Sequence, residues 1–367
     1  IEQYEELVRR GATNPSTHGN LAAAYAATGQ TRRGLEIVQA YLRRYPESAA
    51  ALHDLGEALV TERRIDEARA AFEKASTLNP RAFGPRLGRW NVAVLQNRWD
   101  EAAGVIKELA AAANPFEHVL SGFVGAGTSV ARGRGHEALT RLDRIVRGPG
   151  SAPEDRAAGR LGQATLLLRQ KNAAAALAQA EQAQGDARNT GQELRALALL
   201  AMAQASSARQ TDADRTLTQL ESRAKVLPGP TSERMAQWAR GEIARARGDR
   251  ITAAAELAKA QSALPMVGPV NGPPSMHSTL WFAAATANLD AGRDDEATRL
   301  FERLQSGHER VFDLDAYARS FYLLAGIYER RGDTTRARDQ YTRFLDLWRD
   351  GDMERGWVAE AIKKTAR

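Results

Sequence analysis

The sequence predicts an all-α chain, built as a solenoid superhelix of about nine helix-turn-helix units with a C-terminal capping helix. Three observations carry that prediction. The 367 residues include 69 Ala and no Cys, with only 6% aromatic side chains, a composition suited to thin, closely packed helices rather than β-branched, aromatic strands. The length exceeds what one core usually serves, which favours several domains or an array. Pro46 and Pro80 lie 34 residues apart, as do the "DEA" triplets ending at Ala68 and Ala102, and 34 residues is a length at which a helical hairpin repeats.

Taken in order, "IEQYEELVRR" opens the chain as the second helix of a preceding unit, within residues 1–14. An array follows over residues 15–263. In "HGNLAAAYAATGQTRRGLEIVQAYLRRYP" the small residue is Ala22, the large one Tyr25 and the stop Pro46. The next unit, "LHDLGEALVTERRIDEARAAFEKASTLNP", offers Leu55 and Gly56 in its first helix, Ala68, Phe72 and Ala75 in its second, and Pro80 at the close. Gly56 and Ala68 are small because the paired helices must approach closely there, and Phe72 fills the groove beside them. Pro80 ends the helix because its ring is poorly tolerated inside one.

The third unit puts Trp90 where a small residue is expected and Ala93 where a large one is, a compensated exchange. Degenerate units run through Ala126 and Ala138, Ala164 and Ala176, Ala201 to Leu217, and Gly241 and Ala253. Two well-formed units occupy 277–350, with Trp281, Ala285, Ala297 and Phe301 in one and Phe321, Ala325, Tyr328, Ala337, Tyr341 and Phe344 in the other. Residues 351–367 supply the capping helix such arrays need for solubility. Ser151 and Glu154 have capping-box spacing and predict a helix start. The Pro/Gly tract of residues 264–276, "LPMVGPVNGPPSM", carries no charge and reads as a bend or spacer.

This pattern of small, large and stop positions resembles the tetratricopeptide repeat family. The resemblance implies a superhelix whose first helices line a concave groove that binds a protein or peptide. Residues 306–364, with "RSFYLLAGIYERRGD" and "YTRFLDLWRDGD", further resemble the C-terminal repeat region of bacterial, acidobacterial-type serine/threonine protein kinases and related signalling proteins. In that family the output domain lies upstream. None of its kinase motifs is present here, so no catalytic residue carries over.

Motifs for chemistry are sparse. Without cysteine, a disulfide framework, a thiolate zinc site and a cysteine nucleophile are excluded. "GFVGAGTSV" places Gly122 and Gly127 at phosphate-loop spacing, but Thr128 stands where a Lys is required and no strand precedes it. The six histidines, His18, His53, His118, His136, His277 and His308, include no H-E-x-x-H pair and no carboxylate arrangement suggesting zinc. Asp66/Glu67 and Asp294/Asp295/Glu296 sit at predicted helix starts, where they complement the helix dipole. The expectation is no enzyme, no cofactor and no metal.

The net charge of +6 comes from 51 basic and 45 acidic residues, only 7 of the former Lys. Residues 121–260 hold 21 basic against 14 acidic; without aromatics interleaved in a short basic run, this argues against nucleic acid. No apolar stretch is long enough to span a bilayer. The start at Ile1 without an initiator Met points to a processed protein or a fragment, and the compartment stays open between bacterial cytoplasm and periplasm.

For the partner-binding groove, the residue four after each unit's start gives the column His53, Leu87, Phe123, Trp238, Phe282 and Tyr322, with Arg319 available for an acidic group. A register one residue off would turn these side chains into core, Trp238 first among them. Two functions are compatible with this reading. One is a non-enzymatic protein-interaction scaffold; the other is the sensor or docking arm of a kinase or transcription regulator whose output domain precedes Ile1.

Overall fold

The computed structural model describes residues 1–112, 114–227, 229–270 and 275–366. Among them the chain forms twenty α-helices, one short 3-10 turn at His308–Phe312 and no strand. Helix α1 (Glu2–Arg9) stands alone. Nine hairpins follow: α2 (Pro15–Ala27) with α3 (Thr31–Arg44), α4 (Ala49–Thr61) with α5 (Ile65–Leu78), and α6 (Phe83–Leu95) with α7 (Trp99–Ala110). Then come α8 (Pro115–Ala131) with α9 (Gly135–Arg147), α10 (Pro153–Arg169) with α11 (Ala173–Ala187), and α12 (Glu193–Ser206) with α13 (Gln210–Val226). The last three are α14 (Pro230–Ala246) with α15 (Arg250–Ser262), α16 (His277–Asp290) with α17 (Asp294–Ser306), and α18 (Leu314–Arg330) with α19 (Thr334–Trp348); α20 (Arg355–Thr365) caps the array.

The nine hairpins share one corner. Two residues past the end of each first helix stands a residue with positive φ: Gly29, Arg63, Asn97, Gly133, Lys171, Ala208, Gly248, Gly292 and Gly332. The next residue's N–H then reaches back five positions to a carbonyl of the helix, as in Gln30 to Tyr25, Arg64 to Leu59 and Asp333 to Tyr328, at 2.8–2.9 Å. This is the Schellman arrangement, which satisfies an orphan carbonyl and turns the chain sharply. Four of the nine corners, at Arg63, Asn97, Lys171 and Ala208, hold this conformation against the Cβ penalty that glycine avoids, a penalty that asparagine bears best.

Small residues set the helix spacing. A Cβ on Gly34 of α3 would lie 2.7 Å from the Ala22 carbonyl of α2. Phe72, 0% exposed, lies between two helix backbones, since a Cβ on Gly56 or on Gly88 would fall 2.5 and 2.4 Å from its ring. In the third unit Trp90 and Ala93 are both buried; Gly88, two residues before Trp90, supplies the close approach. Ala138, Ala164, Ala176, Ala253, Ala285, Ala297 and Ala325 are fully buried. The stretch resembling a phosphate loop is helical, and Gly122 there makes room for Ile145 of α9.

One local expectation fails. The cap of α10 is Ala152 followed by Pro153, without a side-chain cap bond, and the Ser151 hydroxyl donates instead to the Ile145 carbonyl at 2.8 Å. Pro153 takes the first helical position, where its missing N–H is no loss, so the helix opens after Ala152 and not at Ser151.

By contacts the chain divides into two units. Unit 1 comprises residues 1–121 and 265–275, and unit 2 residues 122–264 and 276–367. Residues 265–270 therefore belong with the N-terminal repeats, while Leu264 and Met276 at the two ends of the tract pack against the core of unit 2.

Candidate functional site

In unit 1 the first helices α2, α4 and α6 present their inner faces side by side. Met266 donates its N–H to the Ala27 carbonyl at the end of α2, at 3.1 Å. Its side chain lies over Gly29, where a Cβ would be 2.9 Å from the thioether. On α6, Asn91 donates its amide to the Val270 carbonyl at 2.9 Å, and Val270, 4% exposed, joins the apolar cluster of Leu59, Phe72 and Val92. Asn91 is one turn beyond Leu87 and so shares its stripe of α6. The inner face of unit 1 thus holds a stretch of this chain's own backbone; residues 271–274 of the tract lie outside the described residues.

His53 on α4 is half-buried. Its ring packs 5.7 Å from that of Phe72, its Nε2 is 3.2 Å from Glu57, and a Cβ on Gly84 of α6 would fall 2.9 Å from it. Asp54 faces the other way, against α2, where a Cβ on Gly19 would be 2.4 Å from its carboxylate. Burial pushes the Asp54 carboxyl up to about 7, with His53 pulling it back and Glu57 adding to the rise. Burial pulls the His53 imidazole down, but the hydrogen bond and charge of Glu57 outweigh it, and the net shift is upward. Ligand atoms of His53, Asp54 and Glu57 all lie within 4.8 Å of one another. The sequence showed no histidine–carboxylate arrangement suggesting zinc, whereas these three residues of α4 do converge. One helical turn brings residues i, i+1 and i+4 together on its own, so the grouping needs no metal to explain it.

Unit 2 treats its inner faces differently. Arg169, at the end of α10, binds Asp313 with both terminal nitrogens, Nη1 at 2.5 Å and Nη2 at 2.6 Å, and Asp315 at 3.0 Å. Asp313 also accepts from Thr279 of α16 at 2.8 Å and caps α18 through the Ala316 N–H. Burial raises the Asp313 carboxyl, but the Arg169 charge and these hydrogen bonds prevail and hold it below the ordinary carboxylate range. The Arg195 guanidinium is pushed down by burial and by Arg169, with Asp313 opposing.

The first and last corners of unit 2 also meet. Trp348, 0% exposed, donates its indole N–H to the Val130 carbonyl at 3.0 Å. The backbone N–H groups of Asp352 and Met353 both donate to the Gly133 carbonyl, at 2.8 and 3.0 Å. The Asp352 carboxylate accepts from Gly135 N–H at 2.7 Å and sits 2.7 Å from His136 Nδ1. Glycine is required at 351, where a Cβ would be 2.4 Å from the Gly133 carbonyl.

These contacts revise the expected groove column in unit 2. Arg319 is not available to an acidic ligand: it is 3% exposed, bonded to Asp315 at 2.9 Å and Glu354 at 2.7 Å, and lies between the rings of Trp348 and Trp357. Tyr322 is stacked on Trp357 of the capping helix at 4.2 Å and donates to Glu360 at 2.6 Å. Trp238 is core, as a shift of one residue in register would make it. Phe282 is half-buried beneath the Arg169 guanidinium, 5.1 Å from its ring centroid. Phe123 is half-buried on α8. Only His53 and Leu87 of the column lie in unit 1, beside Asn91, which the column omitted.

Residues 20–83 and 53–118 each match the family model of the tetratricopeptide repeat. Such repeats generally mediate protein–protein interaction, and the inner face just described belongs to the matched segment. No curated protein matches the chain. Among solved structures it is similar to a chain of the Naa15/Naa10 complex bound to HypK-THB, at 15% identity and TM-score 0.34, over 99% of this chain and 62% of that one. It is also similar to a tetratricopeptide repeat protein from Parabacteroides merdae, at 11% identity and TM-score 0.32, with both chains fully covered. At TM-scores this low, neither similarity bears on what the chain does. Among the described residues no helix is long and apolar enough to cross a membrane.

Proposed function

We propose that the chain is a non-enzymatic protein-interaction scaffold that binds its partner on the inner face of α2, α4 and α6. The observation that supports this most is the Asn91 amide holding the Val270 carbonyl while Val270 is buried against the repeat core. A surface that seats one segment of backbone through a side-chain amide and an apolar pocket can seat another. The matched tetratricopeptide segment and the protein-binding role general to such repeats point the same way.

The test is capture of partners from cell extract by the purified chain, with His53→Ala and Asn91→Ala against wild type. Proteins lost with both variants, but kept with Phe282→Ala and Tyr322→Ala, identify the unit 1 face. Capture indifferent to His53 and Asn91 would remove it.

The second reading is a docking arm for an upstream kinase or regulator domain. It is favoured only by the resemblance within residues 306–364. The mass and N-terminal sequence of the native protein test it: an additional domain ahead of Ile1 supports it, and a native chain starting at Ile1 ends it.

A further inference from the structure

We infer that residues 265–270 are a built-in competitor for the unit 1 face, and that the external partner presents an uncharged segment with an aliphatic side chain at the place of Val270. This rests on the scaffold reading above and specifies the ligand of that same face.

The seated segment defines the chemistry. Two of its polar attachments are made by its backbone, the Met266 N–H to Ala27 and the Val270 carbonyl to Asn91, and a chain of other sequence can reproduce them. The side-chain requirement falls on Val270, which is buried in the apolar cluster that includes Leu59, Phe72 and Val92. The segment "PMVGPV" has no charge. Its two prolines restrict the backbone and bring no N–H that would need a partner.

The hold is also limited in extent. Val270 and Gly268 are buried, whereas Met266 is 67% exposed and Pro265 and Pro269 are exposed. A tethered segment of this kind competes at an effective concentration on the order of millimolar for a short link. The partner's apparent affinity then falls by the fraction of time the face is empty. A face occupied in this way binds an external ligand with an affinity reduced by the tethered segment.

The experiment uses the full chain and a fluorescein-labelled peptide Leu-Pro-Met-Val-Gly-Pro-Val, the sequence of residues 264–270, read by fluorescence anisotropy. Val270→Asp should evict the internal segment without altering the face, and peptide affinity should rise about tenfold or more over wild type. Adding Asn91→Ala to Val270→Asp should abolish that gain. Equal affinity in wild type and Val270→Asp, or no binding to Val270→Asp, would overturn the inference. If circular dichroism shows that Val270→Asp does not fold, Met266→Gly with Val270→Ala takes its place, with the same expected rise and the same refuting results. The scaffold reading fails separately. Peptide binding without competition, together with partner capture that needs Asn91, removes the competitor alone. Capture indifferent to His53 and Asn91 removes the face itself.

Discussion

Unit 1 and unit 2 are made by the same hairpin, yet their inner faces end in opposite conditions. In unit 1 the face of α2 and α6 accepts residues 265–270 through bonds to their backbone and one buried valine. In unit 2 the inner side is taken up by the protein's own side chains, with Arg169 of α10 paired to Asp313 and Asp315 at the start of α18 and Trp348 locked against Val130. The lesson is that a repeat specifies its neighbours and not its groove. Whether a concave face is open to a ligand depends on what reaches across it.

The largest effect is expected from Trp348→Ala. It removes a fully buried indole and the bond to Val130, and should destabilise unit 2 by about 3–5 kcal/mol. Hydrogen exchange during denaturant unfolding should show protection lost in residues 122–264 and kept in 15–110. Uniform loss would mean that the two units unfold as one.

Arg169→Ala should cost unit 2 a similar amount, about 3–5 kcal/mol, because it leaves the Asp313 carboxylate buried without its cation. The two units should also respond to pH with opposite sign. The folded pKa of Asp313 is depressed, so its contribution to unit 2 is complete above the unfolded carboxylate value near 3.8 and is lost as pH falls through the lower folded value. Asp54 in unit 1 is raised from 3.8 to about 7. Its neutral form favours folding, and that advantage disappears as pH climbs from about 4 to about 7. His53, also raised, acts in the same direction. Asp54→Asn should therefore stabilise unit 1 at pH 8 by about 1–2 kcal/mol and leave it unchanged near pH 3, as measured by thermal unfolding at the two pH values. A stabilisation independent of pH would show that Asp54 is not the titrating group.

The smallest effects lie at the corners. Ala208→Gly should stabilise its hairpin by about 1 kcal/mol, since Ala208 stands at φ 60°. Gly332→Ala, at φ 76°, should destabilise by a comparable amount. Chemical denaturation of both variants checks the pair. His136→Ala, whose side chain is 90% exposed opposite Asp352, should change unit 2 by less than about 1 kcal/mol.

The sequence by itself determined the hairpin and its number. Gly34 against Ala22, Phe72 between Gly56 and Gly88, and the buried alanines from Ala138 to Ala325 are contacts within a hairpin or with the next one. Such contacts recur with the repeat, so a period of 34 residues exposes them. The shared corner was not legible, since a positive φ at Arg63 has no signature in residue type.

Only the tertiary structure decided which of these faces would be free. Arg169 meets Asp313 across 144 residues, Asn91 meets Val270 across 179, and Trp348 meets Val130 across 218. Each of those meetings depends on the rotation accumulated over many stacked hairpins. A small rotation per repeat, which no single repeat encodes visibly, sums to the placement of a distant helix. For that reason Arg319 and Tyr322 read as ligand-binding residues in the sequence and are sealed under Trp348, Trp357 and Glu360 in the fold. The uncharged tract read as a spacer instead occupies the inner face of unit 1, because Val270 reaches an apolar seat there that its own neighbours in sequence do not provide.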